Sequence, residues 1–345
     1  MITVALDAEH TRQTSAGTRR TLTSLVTALR ERSDIRAIVV GGGPLLQRGT
    51  LAKRMATARQ DFLWYPWLGR REAINAGAQV YHCPTPRAPL TRNKIPLVVT
   101  VHDLVPLLFP ETMTPWSRIY GRLTLGRVLA AADIIAVPSK DTANDLITLT
   151  GIDPHRVRVV PNGVDPIFFM APPEISSEDK KYVLFVGTPE PRKNLPRLVA
   201  AIESLAKRGY PYRLVIAGSG GWGRDRIDSS LVDFVGRVPD AQLRDLYSRS
   251  LCVAIPSLHE GFGLPAAEAM AAGSPVVAGN RGALPEIVGD AGVLVDPYNV
   301  TAIADGIISA IENRFELVKK GKVRAAQFSW NAAAASMAEI YRNLV

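Results

Sequence analysis

Cysteine is nearly absent from this 345-residue sequence, which contains only Cys83 and Cys252. The two are far apart, each in or beside an apolar stretch, and neither has metal-ligand spacing. That excludes a disulfide framework and a zinc site, and both read as reduced core residues of a cytoplasmic protein. Also missing is an apolar run of the roughly 18 residues that a membrane helix needs. The longest candidate, 95–109, is broken by His102, Asp103 and Pro106. The first residues, Met1 to Asp7, read as a short strand ending in an acid, not as a secretory leader. There is no Asp-x-Asp pair. Asp7-Ala8-Glu9 comes nearest, but it is not placed like a metal pair, and no His/Cys cluster replaces it. No nucleic-acid-binding module is recognisable, so that partner is discounted. Acids are scarce in one half only. Residues 1–165 hold 21 Lys and Arg against 13 Asp and Glu, a charge of +8, whereas residues 166–345 hold 20 against 19, or +1. Such an excess suits an anionic partner on the first half, or simply an Arg-rich soluble surface.

Short apolar, β-branched runs alternate with helical patterns throughout. One series comprises 2–6, 37–40, 80–82, 97–101, 134–137 and 157–160. A second comprises 182–186, 213–217, 234–235, 251–255, 275–278 and 293–295. Continuous apolar strands separated by helices predict parallel sheets covered on both faces, an α/β doubly wound class. Each series opens like a separate sheet. After the first strand comes a loop with Gly17, then a helix with Leu22, Leu25, Val26 and Leu29 on one face. After 182–186 comes Gly187 and a Pro-rich loop ending in Arg192 and Lys193. Asn194 is placed to cap a helix whose apolar stripe is Leu195, Leu198, Val199, Ile202 and Leu205. The turn-rich segment 161–173 marks the boundary, giving domains 1–165 and 166–345, with the last helix, about 330–345, able to pack back on the first domain. Two such domains imply a cleft, and ligands in open α/β sheets bind beyond the carboxyl ends of the strands.

The segment 259–277 carries the strongest chemical signal. A strand ends at Pro256, and a loop containing Gly261 and Gly263 enters a short helix, with Pro265 in its first turn and Gly273 just past its end. The glycines let backbone N–H groups approach a ligand, and the helix N-terminus favours an anion. Glu260 and Glu268 flank the opening, where carboxylates can accept hydrogen bonds from vicinal hydroxyls. On spacing alone the same stretch reads equally as a glycine turn feeding a buried helix, with Glu268 on its solvated side.

Glu260 and Glu268 around Gly-Phe-Gly-Leu-Pro resemble the signature of retaining nucleotide-sugar glycosyltransferases of family 4. The segments 187–195, 217–223, 235–238 and 162–165 match that family in order and spacing, closely over about 160–300 and more loosely before it. The resemblance implies a GT-B fold: two Rossmann-like doubly wound domains facing each other across a cleft, the first for the acceptor and the second for the donor. It also implies roles. Arg192 and Lys193 neutralise the donor diphosphate. Glu268 holds the ribose hydroxyls. Glu260 lies by the donor sugar with the backbone of Gly261, Phe262, Gly263 and Leu264. The backbone of Gly236 and Arg237 meets the base. Some members carry an arginine directly after the glycine of the diphosphate loop, where this sequence has Thr188. His102 follows an apolar strand, matches a family histidine beside the donor sugar, and with Glu260 forms the candidate catalytic pair. Asp103 orients its ring or stabilises the fold. Gly17 matches a glycine that approaches the donor phosphates, although 15–20 departs from the usual double glycine. Ser139 reads as a helix cap only.

The implied activity is retaining, metal-independent hexosyl transfer to a glycan or lipid-linked acceptor, with no cofactor beyond the nucleotide-sugar donor. The motifs lean to the mannosyl- and rhamnosyl-transferring branch of bacterial surface polysaccharide synthesis, with mannose from GDP-mannose as the donor. A GT-B nucleotide-sugar epimerase and a non-catalytic nucleotide-sugar binder are the alternatives. Basic and aromatic residues interleave from Leu45, Leu46, Gln47 and Arg48 through Lys53, Arg54 and Arg59 to Arg70 and Arg71. Trp116, Arg118, Tyr120 and Arg122 repeat the theme. That mixture suits peripheral contact with the inner face of an acidic membrane, with Trp64, Tyr65 and Trp67 at headgroup depth, or a loop whose aromatics pack on the domain.

Overall fold

Two sheets of six strands each form, and every strand pairing within them is parallel. The computed structural model describes residues 1–12, 17–43, 51–92, 94–112, 115–170, 182–220, 227 and 229–345, with backbone only at 51, 52, 54, 115 and 117. The first sheet contains β1 (Ile2–Asp7), β2 (Ile35–Val40), β3 (Val80–Cys83), β4 (Leu97–Thr100), β5 (Ile134–Val137) and β6 (Val157–Val159), in the order 2-1-3-4-5-6. The second contains β7 (Tyr182–Val186), β8 (Arg213–Ala217), β9 (Val232–Gly236), β10 (Cys252–Ile255), β11 (Val276–Gly279) and β12 (Val293–Val295), in the order 12-11-10-7-8-9. Read from its other edge, the second sheet has the strand order of a Rossmann fold. The near-continuous apolar strands of the sequence are buried on both faces for that reason: helices cover each side.

Around the first sheet lie α1 (Gly17–Arg30), α2 (Leu51–Arg59), α3 (Gly69–Asn75), α4 (Val105–Leu108), α5 (Pro115–Ala131) and α6 (Lys140–Thr150). The second is wrapped by α7 (Leu195–Lys207), α8 (Asp240–Arg249), α9 (Leu264–Ala271), α10 (Leu284–Val288), α11 (Val300–Glu312) and α12 (Arg314–Ala325), and α13 (Trp330–Arg342) follows. The chain divides into a unit of Met1–Gly163 with Trp330–Val345 and a unit of Val164–Ser329, so α13 belongs with the first sheet. All five stripe residues of α7 are buried, each contributing roughly 1.5–3 kcal/mol relative to exposure. Leu22, Leu25, Val26 and Leu29 of α1 share a core with Val4 and Leu6 of β1 and with Met337 and Tyr341 of α13. Ser139 caps α6, accepting from the Thr142 N–H at 3.0 Å. Cys83 and Cys252 are buried and free.

Some expectations change. Gly17 is the first residue of α1, not part of a preceding loop. A side chain built on it would meet nothing within 4 Å, so its own surroundings impose no need for glycine. Ser15, Ala16, Leu45, Leu46, Gln47, Arg48, Gly221, Trp222, Gly223, the whole of 171–181 and the Arg54 side chain lie outside the described residues.

A buried polar tie fastens α13 to the first sheet. His82 of β3 shares hydrogen bonds with the Tyr341 hydroxyl at 2.7 Å and the Thr100 hydroxyl at 2.8 Å. Burial pushes its imidazole down to about 3. Burial likewise pushes His10 down to about 4. The folded unit therefore binds fewer protons at these histidines than the unfolded chain, and stability falls as pH drops through 6.5 toward 3. Asp7 works against this: burial raises it to about 6, so its protonation favours the fold as pH falls from 6 toward 3.8. Thermal melts from pH 8 to pH 4 are expected to show a falling transition below about pH 6.5. His82→Gln should flatten that slope, since one such buried histidine is worth on the order of a few kcal/mol. An equal slope in the variant would remove His82 from the account.

Candidate active site

In an open parallel sheet the two strands on either side of the order reversal send their following loops apart, leaving a crevice at their carboxyl ends. In the second unit those strands are β7 and β10. The loop after β7 contains Gly187, a one-turn 3₁₀ segment at Pro191–Lys193, and Asn194. The loop after β10 contains Ser257, His259 and Glu260. Two hydrogen bonds join these loops: Leu258 N–H donates to the Arg192 carbonyl at 2.7 Å, and the Arg192 guanidinium donates to the His259 carbonyl at 3.1 Å.

Glu260 sits at the centre. Lys193 Nζ lies 2.6 Å from Oε1, which also accepts from the Ser257 hydroxyl at 2.8 Å, and Arg192 Nη1 lies 3.0 Å from Oε2. Glu260 and Lys193 are buried. Burial is the largest influence on this carboxyl and pushes it up, but Lys193 and Arg192 together outweigh it and hold it at about 2. Arg192 also pairs with Glu190 at 3.0 Å. Of the sequence candidates, the structure thus brings Glu260, Arg192 and Lys193 into one charged cluster.

Three glycines shape this end of the sheet. A Cβ on Gly218 would lie 2.2 Å from the Gly187 carbonyl oxygen, so the loops after β7 and β8 touch backbone to backbone. Gly263 has φ +90°, and a Cβ there would lie 2.7 Å from Leu284. Gly282 has φ +58° and lies so close to the backbone of Glu260 that a Cβ would come within 2.8 Å of its nitrogen. Gly282 lies outside the motifs quoted from the sequence. Asn194 departs from its expected role. It is left-handed, with φ 59°, and does not cap α7 with its side chain. Its amide instead donates to the carbonyls of Pro256 at 3.0 Å and Pro297 at 2.6 Å, bracing three loops.

Helix α9 begins at Leu264 and runs to Ala271, with Pro265 in its first turn and Gly273 at φ +75° beyond its end. Phe262 is buried edge-on against Phe328, ring centroids 5.4 Å apart. Glu268 is buried rather than solvated, and its Oε2 accepts from the Tyr247 hydroxyl at 3.0 Å. Tyr247, on α8, was invisible to the motif reading, as was Ser257. At the end of β9, Gly236 has φ +72° and its carbonyl accepts from Gly218 N–H at 2.8 Å, while Arg237 is exposed.

In the first unit the reversal lies between β1 and β3. His102, just beyond β4, donates from its ring to the Pro84 carbonyl beyond β3. Its Nε2 is buried and finds no hydrogen-bond partner among the described residues. Burial, partly offset by Asp103, lowers its pKa. Asp103 accepts from Val105 N–H at 3.2 Å and so stabilises the turn into α4. His102 lines a small cavity with Leu22, Leu25, Pro84, Thr100 and Trp330. Asp7 and Glu9 are both occupied by protein partners. Asp7 accepts from Trp64 Nε1 at 2.7 Å and from the Tyr81 hydroxyl, and Glu9 pairs with Arg12 and Arg59.

The basic aromatic segment needs correction. Trp64, Tyr65 and Arg70 are buried. Pro66 lies within a stretch of wide π-helical turns, Gln60–Leu68, and that spacing turns residues 60, 61, 64 and 65 inward. Arg70 donates to the Thr91 carbonyl at 2.8 Å.

Two family models match the chain: Glycosyltransferase Family 4 over residues 15–168 and Glycosyl transferases group 1 over residues 169–328. The O-antigen chain mannosyltransferase B of Escherichia coli is 31% identical over 287 residues, covering 77% of this chain and 74% of that protein. A D-inositol 3-phosphate glycosyltransferase of Xylanimonas cellulosilytica is 32% identical over 285 residues, covering 72% and 67%. Among solved structures, the sucrose-phosphate synthase of Thermosynechococcus elongatus superposes with a TM-score of 0.77 at 22% identity, covering 100% of this chain and 99% of that one, a likeness of fold.

Proposed function

The chain belongs to the family 4 glycosyltransferases of GT-B fold, and from that membership we propose that it transfers a hexose, mannose from GDP-mannose by preference, with retention of anomeric configuration, to a glycan or lipid-linked glycan. The observation that carries this reading is the cluster of Arg192 and Lys193 around Glu260 at the strand-order reversal, with Glu268 buried a turn into α9. The glycosyl–phosphate bond breaks as the glycosidic bond forms, and the acceptor hydroxyl gives up its proton. The diphosphate leaves with its charge met by Arg192, Lys193 and the first N–H groups of α9. Glu268 takes the ribose hydroxyls, and the backbone at Gly236 and Arg237 takes the base. Glu260, with the backbone of Gly261, Phe262, Gly263 and Leu264, serves the sugar. From the first unit we assign His102, through its free Nε2, to the transferred sugar, and Gly17 at the start of α1 to the phosphates. The mannosyltransferase relative supports the choice of sugar.

The test is nucleotide release over a panel of donors, with and without glycan acceptors. Release of GDP from GDP-mannose that depends on acceptor is expected. Conversion of the sugar without nucleotide release would indicate an epimerase, and binding without turnover a non-catalytic protein. Transfer is expected to persist in EDTA, because side-chain cations and a helix N-terminus supply the positive charge. An absolute requirement for Mg²⁺ or Mn²⁺, restored by adding the ion back, would contradict the assignment of Arg192 and Lys193.

A further inference from the structure

Helices α7 and α11 pack together on the second sheet, sharing a core that includes Leu198, Ile202, Leu205, Ile303 and Ile307. Both begin at the carboxyl end of the sheet, and their starts are tied. The amide of Asn194, just before α7, donates to the Pro297 carbonyl, two residues before the Asn299 cap of α11. A helix N-terminus carries a partial positive charge, which acids in the first turn ordinarily offset. Neither helix has an acid there. Arginines stand at this place instead. Arg197, in the first turn of α7, and Arg281, in the loop after β11, both lie against the ring of Tyr298, in the loop after β12. Their guanidinium carbons are 5.4 and 5.8 Å from the ring centroid. Three separate loops thus bring their side chains to one tyrosine, which is 52% exposed.

The charge gathered here is unbalanced. Across 194–198, 280–283 and 296–300 the sole acid is Asp296, whose carboxylate accepts from the Tyr298 N–H at 3.0 Å. Among the described residues neither arginine pairs with a carboxylate, and Arg197 donates to a neutral acceptor, Asn194 Oδ1, at 2.9 Å. Two guanidinium groups against one ring, beside two helix N-termini, repel each other. The negative faces of the ring offset part of that repulsion, and an anion shared between the arginines offsets more. The same end of the sheet holds Arg192 and Lys193, but those two already have Glu260 as their counter-ion.

We propose that Arg197 and Arg281, gathered on Tyr298, form a second anion site on this unit, one that takes inorganic phosphate or a phosphate monoester. The planar fork of each guanidinium matches a pair of phosphate oxygens, and a dianion between the two meets both charges at once. Tyr298 holds the arginines in place through its ring, not through its hydroxyl. The proposal goes beyond glycosyl transfer, because the donor diphosphate is assigned to Arg192 and Lys193 and the ligand here is a separate group.

The experiment is calorimetric titration of the full chain with inorganic phosphate, glucose 6-phosphate and glucose, at fixed ionic strength and with saturating GDP present. Phosphate is expected to bind alongside GDP, one per chain, and glucose not at all. Equal binding of phosphate and glucose 6-phosphate would assign the site to the phosphate group alone, and tighter binding of glucose 6-phosphate to a phosphosugar. Arg197→Ala with Arg281→Ala should weaken phosphate tenfold or more, as expected for losing two charged hydrogen-bond donors. Tyr298→Phe, which keeps the ring, should leave affinity within about twofold, whereas Tyr298→Ala should lower it several-fold. Circular dichroism shows that each variant is folded. Two results would overturn the proposal: no phosphate binding in the presence of GDP, or binding that the double arginine variant leaves unchanged. Should GDP itself fail to bind, the donor reading falls, and comparing wild type with the double variant in phosphate alone still decides this one.

Discussion

Glutamine in place of Glu260 is expected to lower sugar transfer on the order of a hundredfold or more, and in the same variant to tighten the binding of free nucleoside diphosphate. The second effect follows from the observed pairing. Without ligand, the Glu260 carboxylate is the counter-ion of both Lys193 and Arg192. An incoming diphosphate must compete with it for the same two cations. The amide has nearly the same shape but no charge, so both cations turn to the phosphates, a gain of several-fold in affinity. Acid cannot mimic this substitution. The carboxyl is held at about 2, so it stays ionised at any pH the fold tolerates. Its contribution to stability is complete above the ordinary carboxylate range and is lost only as pH falls toward 2. Calorimetry with nucleoside diphosphate, beside steady-state transfer, separates the two effects. Weaker diphosphate binding together with intact transfer would make Glu260 a scaffold for the loops and nothing more.

Glu268→Ala is expected to weaken nucleoside diphosphate binding by roughly 1.5–3 kcal/mol, about ten- to a hundredfold, through loss of a charged hydrogen-bond acceptor for the ribose. It also deprives the buried Tyr247 hydroxyl of a partner, which should cost about 1–3 kcal/mol of stability. Tyr247→Phe separates these contributions. It removes the bond that fixes the carboxylate and leaves the carboxylate itself, so affinity should fall by a smaller factor than in Glu268→Ala. A 2′-deoxyribose diphosphate should bind wild type more weakly and Glu268→Ala no differently from the ribose form. Equal affinity of wild type for both sugars would place Glu268 away from the ribose.

What the sequence disclosed and what it concealed divide along a physical line. Periodicity and punctuation are local, and they located the α7 stripe, both ends of α9 and the two strand series that became the sheets. Pairing is not local. Tyr247 meets Glu268 across 21 residues, Lys193 meets Glu260 across 67, and His82 meets Tyr341 across 259. Nothing in the neighbourhood of a tyrosine says which carboxylate it will reach. Asn194 shows a subtler failure. Its position before a helix is a capping signal, but the close approach of the loops after β10 and β12 offered its amide two carbonyls, and it took a left-handed backbone to reach them. Trp64 and Tyr65 were set at headgroup depth, and Arg70 in the basic row, from composition, which carries no information on which side chains of a helical stretch turn inward; the structure buries all three.

The placement of α13 has a consequence for the birth of the molecule on the ribosome. Met337, Ala338 and Tyr341 fill the same core as β1 and α1, yet they are translated after the whole of Val164–Ser329. The second unit is one uninterrupted stretch of chain and can fold as soon as it emerges. The first unit is begun earlier and finished later. Until Trp330–Arg342 arrives, the faces of Leu22, Leu25 and Val26 stand unfilled beside His82, whose bond to Tyr341 is not yet made. The usual order of synthesis, in which the N-terminal body matures first, is thereby inverted. The nascent first unit spends the longer time with an open apolar face, and chaperones would find their opportunity there.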